Sequence, residues 1–246
     1  MPAEGNSHIV IPTKALPGGG LLIFMHTNRR AIIFVNGELP DPKKVAALIS
    51  AADYLVCADG GLHHLFKVGL QPDLVVGDMD SISPDEFKAL TVSGVRLERY
   101  PVDKDETDLE LALRLVLEEG FNTIRIVAAL GGRLDQTLGN IFLLSRLELA
   151  ERDVRIEDGQ QEVFLIRSLG TVNGQPGDTI SLIPLTSQVN GVVTEGLRYP
   201  LQNEILYFDR TRGISNVLLG FEAVIRLQEG ILLCVHSRQP AMMDEH

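Results

Sequence analysis

The stretch YLVCADGGLHHLFKVGLQPDLVVGDMDSI, residues 54–82, decides the fold. It opens on a short apolar run closed by Asp59-Gly60-Gly61, continues through a helical stretch from Gly61 to Val68, and reaches a second apolar run, LVVGD, at residues 74–78. Short continuous apolar runs bounded by turn signals read as strands buried on both faces, and strand, helix and strand in succession make the unit of a parallel sheet. Outward from this unit, AIIFVNG (31–37) and TIRIVAALGG (123–132) repeat the strand pattern. Helical stretches at Asp41–Ala52, Pro84–Thr91, Thr107–Glu119 and Gln136–Ala150 lie between and after the strands. In the third of these Leu109, Ala112, Leu113, Val116 and Leu117 share one face. The alternation predicts an α/β layer architecture with a mostly parallel sheet over residues 31–151.

Near Glu151 the texture changes to short strands separated by turn residues: VRIE, EVFLIR, TISLIPL, NGVVTE, EILYFD, FEAVIRL and ILLCVHS. Phe221, Ala223, Ile225 and Leu227 alternate with polar or smaller positions, and Gln228-Glu229-Gly230 supplies a tight turn into the last strand. A second, all-β domain is expected over residues 152–238, with 239–246 as a tail. Residues 1–30 carry Gly18-Gly19-Gly20 and no sustained period, and are expected to form a loose extension.

The chain has 246 residues, 22 basic and 33 acidic, for a net charge of −11. That length supports one large domain or two modest ones with real cores. The acidic balance disfavours a sequence-independent grip on nucleic acid, which needs clustered Lys and Arg. Cys57 and Cys234 lie in separate apolar runs and read as buried thiols. The first residues lack a basic start followed by a long apolar stretch, and no run reaches the length of a membrane span. A cytoplasmic setting without a membrane partner is expected.

The acids gather where strands end, which in open α/β sheets is where ligands bind. Asp59 follows VCA, Asp78 and Asp80 close LVVGDMD, Asp103, Asp105, Glu106 and Asp108 crowd one helix start, and Asp135 opens another. Capping explains some of them, and Thr107 with Glu110 forms a capping box. It does not explain four acids together. If residues 77–81 stay extended, Asp78 and Asp80 point to one side about 6 to 7 Å apart. Two carboxylates so placed repel by roughly 2 kcal/mol at an effective dielectric of 20, so a cation such as Mg²⁺ is expected between them. Asp residues serving a turn through their backbone hydrogen bonds are the alternative. Gly131-Gly132-Arg133, with Lys104, offers a complementary phosphate cradle. No P-loop, protein-kinase signature or H-E-x-x-H occurs. His63-His64 and His236 read as structural, and Ser215-Asn216 as a polar turn.

Five motifs in order, CADGG (57–61), PDLVVGDMDSI (72–82), DKDETD (103–108), GGRLDQTLGNI (131–141) and TRGISN (211–216), resemble the thiamine pyrophosphokinase family from about Ala31 to Ser237. The resemblance implies a Rossmann-like three-layer α/β domain that binds Mg-ATP and an all-β sandwich-like domain that binds thiamine, in a homodimer with the site at the subunit interface. It implies transfer of the pyrophosphoryl group of ATP to the hydroxyl of thiamine, giving thiamine diphosphate and AMP. Asp78, Asp80 and Asp105 would hold Mg²⁺ with Asp59 nearby. Lys104, Thr107, Arg133, Asp135, Gln136 and Asn140 would surround ATP, Ser215 and Asn216 would meet thiamine, and Asp78 or Asp108 would take the hydroxyl proton.

Two departures stand out. Gln136 occupies a position where many relatives carry His, so hydrogen bonding rather than titration is expected there. The chain has no Trp to stack on thiamine, leaving Tyr207, Phe208 or Phe221 for that role. Other readings of the same residues are a pyrophosphokinase for another heterocyclic alcohol such as a pterin, a Mg²⁺-dependent phosphohydrolase, and a non-catalytic thiamine or nucleotide sensor.

Overall fold

A computed structural model describes residues 29–239. Nearly all of the expected N-terminal extension and C-terminal tail lies outside the described residues. Six strands run parallel: β1 (Arg30–Phe34), β2 (Tyr54–Ala58), β3 (Leu74–Gly77), β4 (Arg96–Arg99), β5 (Thr123–Val127) and β6 (Asp153–Glu157). Their order is β6-β5-β1-β2-β3-β4. From β1 the chain steps outward through β2, β3 and β4, then returns to the other side of β1 for β5 and β6. The order therefore reverses between β1 and β5, and such a reversal opens a crevice at the carboxyl ends of the strands.

Alternation along β1 explains the two layers of helices. Ile32 and Phe34 face one side, where they pack with Val45 of α1 (Pro42–Leu48), Leu62 and Leu65 of α2 (Gly61–Lys67) and Leu90 of α3 (Pro84–Val92). Ala31, Ile33 and Val35 face the other, against Leu109, Ala112, Leu113 and Val116 of α4 (Asp108–Glu118). Helix α4 buries Leu109, Ala112, Leu113 and Val116 of the face predicted from sequence, with Leu117 half-buried, and it also buries Leu111 and Leu115 outside that face.

The remaining strands are β7 (Gln161–Ile166), β8 (Leu169–Asn173), β9 (Thr179–Pro184), β10 (Gln188–Glu195), β11 (Glu204–Tyr207), β12 (Asn216–Val217), β13 (Glu222–Arg226) and β14 (Leu232–Ser237). Strand β7 pairs antiparallel with β6, and β14, β9 and β12 follow, so one mixed ten-stranded sheet spans both halves of the chain. A four-stranded sheet, β11-β10-β13-β8, covers its antiparallel end. Phe164, Ile166, Ile180, Leu182 and Cys234 from the large sheet form one core with Val172, Val189, Val192, Ala223 and Ile225 from the small one. Ala223, Ile225 and Leu227 are buried as their alternation predicts, whereas Phe221 is exposed. The turn at Gln228-Glu229-Gly230 carries the chain from β13 in the small sheet to β14 in the large one, rather than pairing the two strands.

Strands β4, β8 and β12 have no counterpart in the sequence prediction, and Asn216, read as part of a polar turn, opens β12 by pairing with Ile180 of β9. RLER is a charged edge strand without a buried apolar run, and LGTVN carries a glycine. The helix expected over Gln136–Ala150 is α5 (Leu134–Leu143), followed by a short 3-10 turn at Leu147–Leu149.

One buried polar cluster ties the end of β14 to its neighbours. His236 is fully buried, and its Nε2 lies 2.8 Å from Asp178 Oδ2. Its Nδ1 lies 3.7 Å from Glu162 Oε2, an ion-pair distance too long for a hydrogen bond.

Candidate active site

The crevice at the β1/β5 reversal is a cleft of about 400 Å³ lined by Asn36 and Gly37 after β1, Asp59 after β2, Asp108, Gly131 and Asn140. Its floor is built by close backbone approach. A Cβ at position 61 would lie 2.0 Å from the Phe34 carbonyl oxygen, so only glycine lets α2 start hard against β1. A Cβ at Gly60 would meet the Asn36 side chain at 2.6 Å. Asp59 has φ +49, a left-handed conformation that Asp tolerates better than most residues, and its N–H donates to the Val76 carbonyl at 2.9 Å. His64 Nε2 lies 2.8 Å from the Gly37 carbonyl oxygen, tying α2 to the loop after β1.

The D-x-D segment is not extended. Met79 has φ +67, and the Asp80 N–H donates to Asp78 Oδ1 at 2.9 Å, so the chain turns sharply between the two acids. Side-chain capping of a local turn won over the extended geometry expected from sequence. The turn nevertheless gathers charge: one carboxylate oxygen each from Asp59, Asp78 and Asp80 lies within 4.8 Å of the others. Asp78, with Asp59 and Asp108 beyond it, holds the Asp80 carboxyl above its ordinary value. Gly77 closes the cluster from beneath, since a Cβ there would stand 3.3 Å from Asp108 Oδ1.

In DKDETD the residues divide between structure and cleft. Thr107 caps α4, accepting from the Glu110 N–H while Glu110 accepts from the Thr107 N–H, the capping box expected from sequence. Lys104 Nζ donates to Asp108 Oδ1 at 2.7 Å and holds that carboxylate at the cleft wall. Asp105 is exposed and stands apart from the three-carboxylate group.

In GGRLDQTLGNI, Arg133 forms a two-point pair with Asp135, Nη2 to Oδ2 at 2.6 Å, and both are largely exposed. The guanidinium holds the Asp135 carboxyl below its ordinary value. Gln136 donates its N–H to Asp135, and Asn140 Nδ2 donates to the Ala129 carbonyl at 2.9 Å, fixing α5 against the end of β5. Glu38 had no signal in the sequence. Its Oε1 accepts from the Gly132 N–H at 3.0 Å, and a Cβ at Gly131 would collide with it at 2.6 Å. A carboxylate therefore sits in the glycine turn where a phosphate was expected.

In the β-rich half, Ser215 has φ +58 and donates its N–H to Ser181 Oγ at 3.1 Å. Asn216 clamps the preceding loop, accepting from the Tyr199 N–H at 3.0 Å and donating to the Tyr199 carbonyl at 2.7 Å. Tyr199, which sequence reasoning passed over, is thereby fixed beside Asn216 with its side chain exposed. Tyr207, Phe208 and Phe221 are also exposed, and Arg210 lies over the Tyr207 ring at 5.1 Å.

A strand-end cleft at a sheet reversal, walled by carboxylates and backed by a glycine turn with an arginine, defines an α/β enzyme of the type that handles charged phosphate substrates. Two family descriptions match the chain: "Thiamin pyrophosphokinase, catalytic domain" over residues 45–157 and "Thiamin pyrophosphokinase, vitamin B1 binding domain" over residues 169–232. The thiamine pyrophosphokinase of Bacillus subtilis (strain 168) is 31% identical over 182 residues, 73% of this chain and 85% of that one. Thiamine pyrophosphokinase 1 of Oryza sativa subsp. japonica is 28% identical, over 76% of this chain and 80% of the relative. The crystal structure of the Bacillus subtilis thiamine pyrophosphokinase superposes with a TM-score of 0.76 at 26% identity, over 86% of this chain and all of that one. The chain belongs to the thiamine pyrophosphokinase family.

Proposed function

We propose that this chain transfers the pyrophosphoryl group of Mg-ATP to the primary hydroxyl of thiamine, giving thiamine diphosphate and AMP. The observation that carries this reading is the gathering of Asp78 and Asp80 around Asp59, which lines the cleft, in a chain whose two halves match the two thiamin pyrophosphokinase domain descriptions. On this reading the parallel layer, expected as a Rossmann-like domain over residues 31–151 and carried on by β6 to Glu157, takes the nucleotide, and the antiparallel remainder of the expected 152–238 domain takes thiamine.

The donor set suits a hard divalent cation. Three carboxylate oxygens within 4.8 Å of one another, with Asp80 held above its ordinary value first by a hydrogen bond shared with Asp78 and then by the charge of Asp78, favour Mg²⁺ with water or phosphate oxygens completing its shell. Asp59, Asp78 and Asp80 would hold it, with Asp105 available from the neighbouring loop, and it would offset the charge of the polyphosphate.

The protein's own work is chiefly positioning and charge stabilisation. The thiamine oxygen bonds to the β-phosphorus while the bond from that phosphorus to the α,β-bridging oxygen breaks, and AMP leaves with the electron pair. Asp78 or Asp108 accepts the hydroxyl proton. Lys104 keeps Asp108 in place, and Arg133 exchanges Asp135 for a phosphate oxygen. The acidic walls favour the cationic thiazolium ring, and Tyr199 beside Asn216 joins Tyr207, Phe208 and Phe221 as an aromatic surface for it.

We further propose a homodimer that closes this site. Leu134, Leu138 and Phe142 recur every four residues along α5 and are all exposed, and α5 buries none of its residues. Two free buried thiols, Cys57 and Cys234, suit a cytoplasmic enzyme. Among the described residues no helix is long and apolar enough to cross a membrane.

Chromatography of products from Mg-ATP with thiamine tests the reading. AMP and thiamine diphosphate in equal amounts are expected, and ADP as the nucleotide product would overturn it. Turnover of a pterin alcohol in place of thiamine would move the acceptor and keep the phosphate chemistry.

A further inference from the structure

At the opposite end of the parallel strands from the carboxylates lies a second cavity, of about 450 Å³, which shares no lining residue with the active cleft. It runs from the end of α5, at Leu144, past the start of β6 to the turn between β7 and β8. Three arginines line it: Arg152, Arg155 and Arg167.

Arg155 is already neutralised by Asp153 and Glu162, and its guanidinium lies over the Phe164 ring at 4.1 Å. The other two differ. Arg152 hydrogen-bonds through Nη1 to the Glu148 carbonyl, and Arg167 donates through Nη2 to the Ser145 carbonyl at 3.1 Å. Neither forms a salt bridge among the described residues, and the Arg152 Nε–H is buried without a hydrogen-bond partner there. Main-chain carbonyls orient both groups; Arg167 keeps its charge unpaired, and that of Arg152 is only partly offset at a distance by the Glu148 carboxylate, which Arg146 also holds.

The acids nearby are mostly committed elsewhere. Glu148 pairs with Arg146 at 2.5 Å, Asp153 is shared by Arg125 and Arg155, and the exposed Glu151 on the rim has no cation partner among the described residues. In a chain of net charge −11, two guanidinium groups without a salt-bridge partner among the described residues, on one concave surface, form a local positive site. Guanidinium forks match phosphate oxygens geometrically, Ser168 and Thr171 add hydroxyls to the lining, and Leu149, Phe164 and Leu165 supply an apolar wall.

We propose that this cavity is a second anion site that takes a small phosphate-bearing molecule, with Arg152 and Arg167 on its oxygens. The site is independent of the metal cluster and of the transfer reaction.

Calorimetric titration in EDTA, where the active cleft keeps its repulsive carboxylates, tests the proposal with inorganic phosphate and phenyl phosphate as probes. Binding is expected to the unaltered protein and to the Asp78→Asn variant. It should weaken at least about tenfold in Arg152→Gln/Arg167→Gln, the scale of losing charge-assisted hydrogen bonds. Tighter binding of phenyl phosphate would mark a phosphorylated organic ligand, and equal binding would mark free phosphate; both support the site. Equal affinity in the double arginine variant, loss of binding in Asp78→Asn, or no binding up to ~10 mM would overturn it. Should the double variant not fold, amide NMR shifts of the unaltered protein decide: changes at 167–171 support the site, and changes confined to 131–140 refute it.

Discussion

Replacing Asp59 by Asn should make the metal-free protein more stable and the metal-loaded protein relatively less so. Asn is among the side chains that best tolerate the left-handed backbone at φ +49, and the Asp59 carboxylate accepts no hydrogen bond among the described residues. The substitution therefore removes charge and little else. The Asp59 and Asp78 oxygens lie within 4.8 Å of each other, so their repulsion is about 1 kcal/mol at a water-like dielectric and about 3 kcal/mol at an effective dielectric of 20. The cluster opens to solvent, and the lower figure applies. For a domain of this size that gain raises Tm by about 2 to 4 °C. Melting in EDTA at low salt should show this rise, and half-molar salt should shrink it, because mobile ions screen the repulsion. With millimolar Mg²⁺ the order should reverse, since the unaltered protein gains ligand-binding stabilisation that the variant largely lacks. A variant that melts at or below the unaltered protein in salt-poor EDTA would refute the claim that these carboxylates repel one another.

Two further outcomes follow from contacts elsewhere. Glu38→Ala should lower KM for Mg-ATP severalfold with kcat nearly unchanged, because the Gly132 N–H loses a competing carboxylate; an unchanged or raised KM in steady-state assays would show that Glu38 does not contest phosphate binding. Stability should also fall as pH rises above neutrality: burial pushes the His236 imidazole toward neutrality, yet the Glu162 and Asp178 carboxylates outweigh that and hold its pKa above the ordinary 6.5. A raised folded-state pKa means the contribution is complete below about 6.5 and is lost as pH climbs through the folded-state value; denaturant melts should show that loss, and His236→Gln should abolish it.

The parallel strands were legible because burial on both faces forces short unbroken apolar runs, as in AIIF and LVV. The amphipathic α4 and its capping box were legible for a similar reason: the 3.6-residue period and the T-x-x-E spacing are local signals. Strand β4 was not, because an exposed edge strand with β3 as its one neighbour demands no apolar run. The sheet that crosses from β6 to β7 was equally hidden, since pairing between strands leaves no mark within either one. At the site, clustered acids were visible in the sequence, but the turn at Met79 depends on a single backbone angle that no side-chain pattern announces. Glu38 and Tyr199 were missed because their roles arise from contacts with Gly132 and Asn216, 94 and 17 residues away.

Turnover of the Asp78→Asn and Asp80→Asn proteins at saturating Mg-ATP and thiamine tests the central claim most directly. Loss of AMP and thiamine diphosphate formation by at least ~10³-fold is expected from each, alongside a melting temperature in EDTA at or above that of the unaltered protein, because each removes a carboxylate that repels its neighbours in the metal-free cluster and whose charge matters in the transition state. Near-normal rates in either variant would contradict the assignment of this three-carboxylate cluster to the reaction.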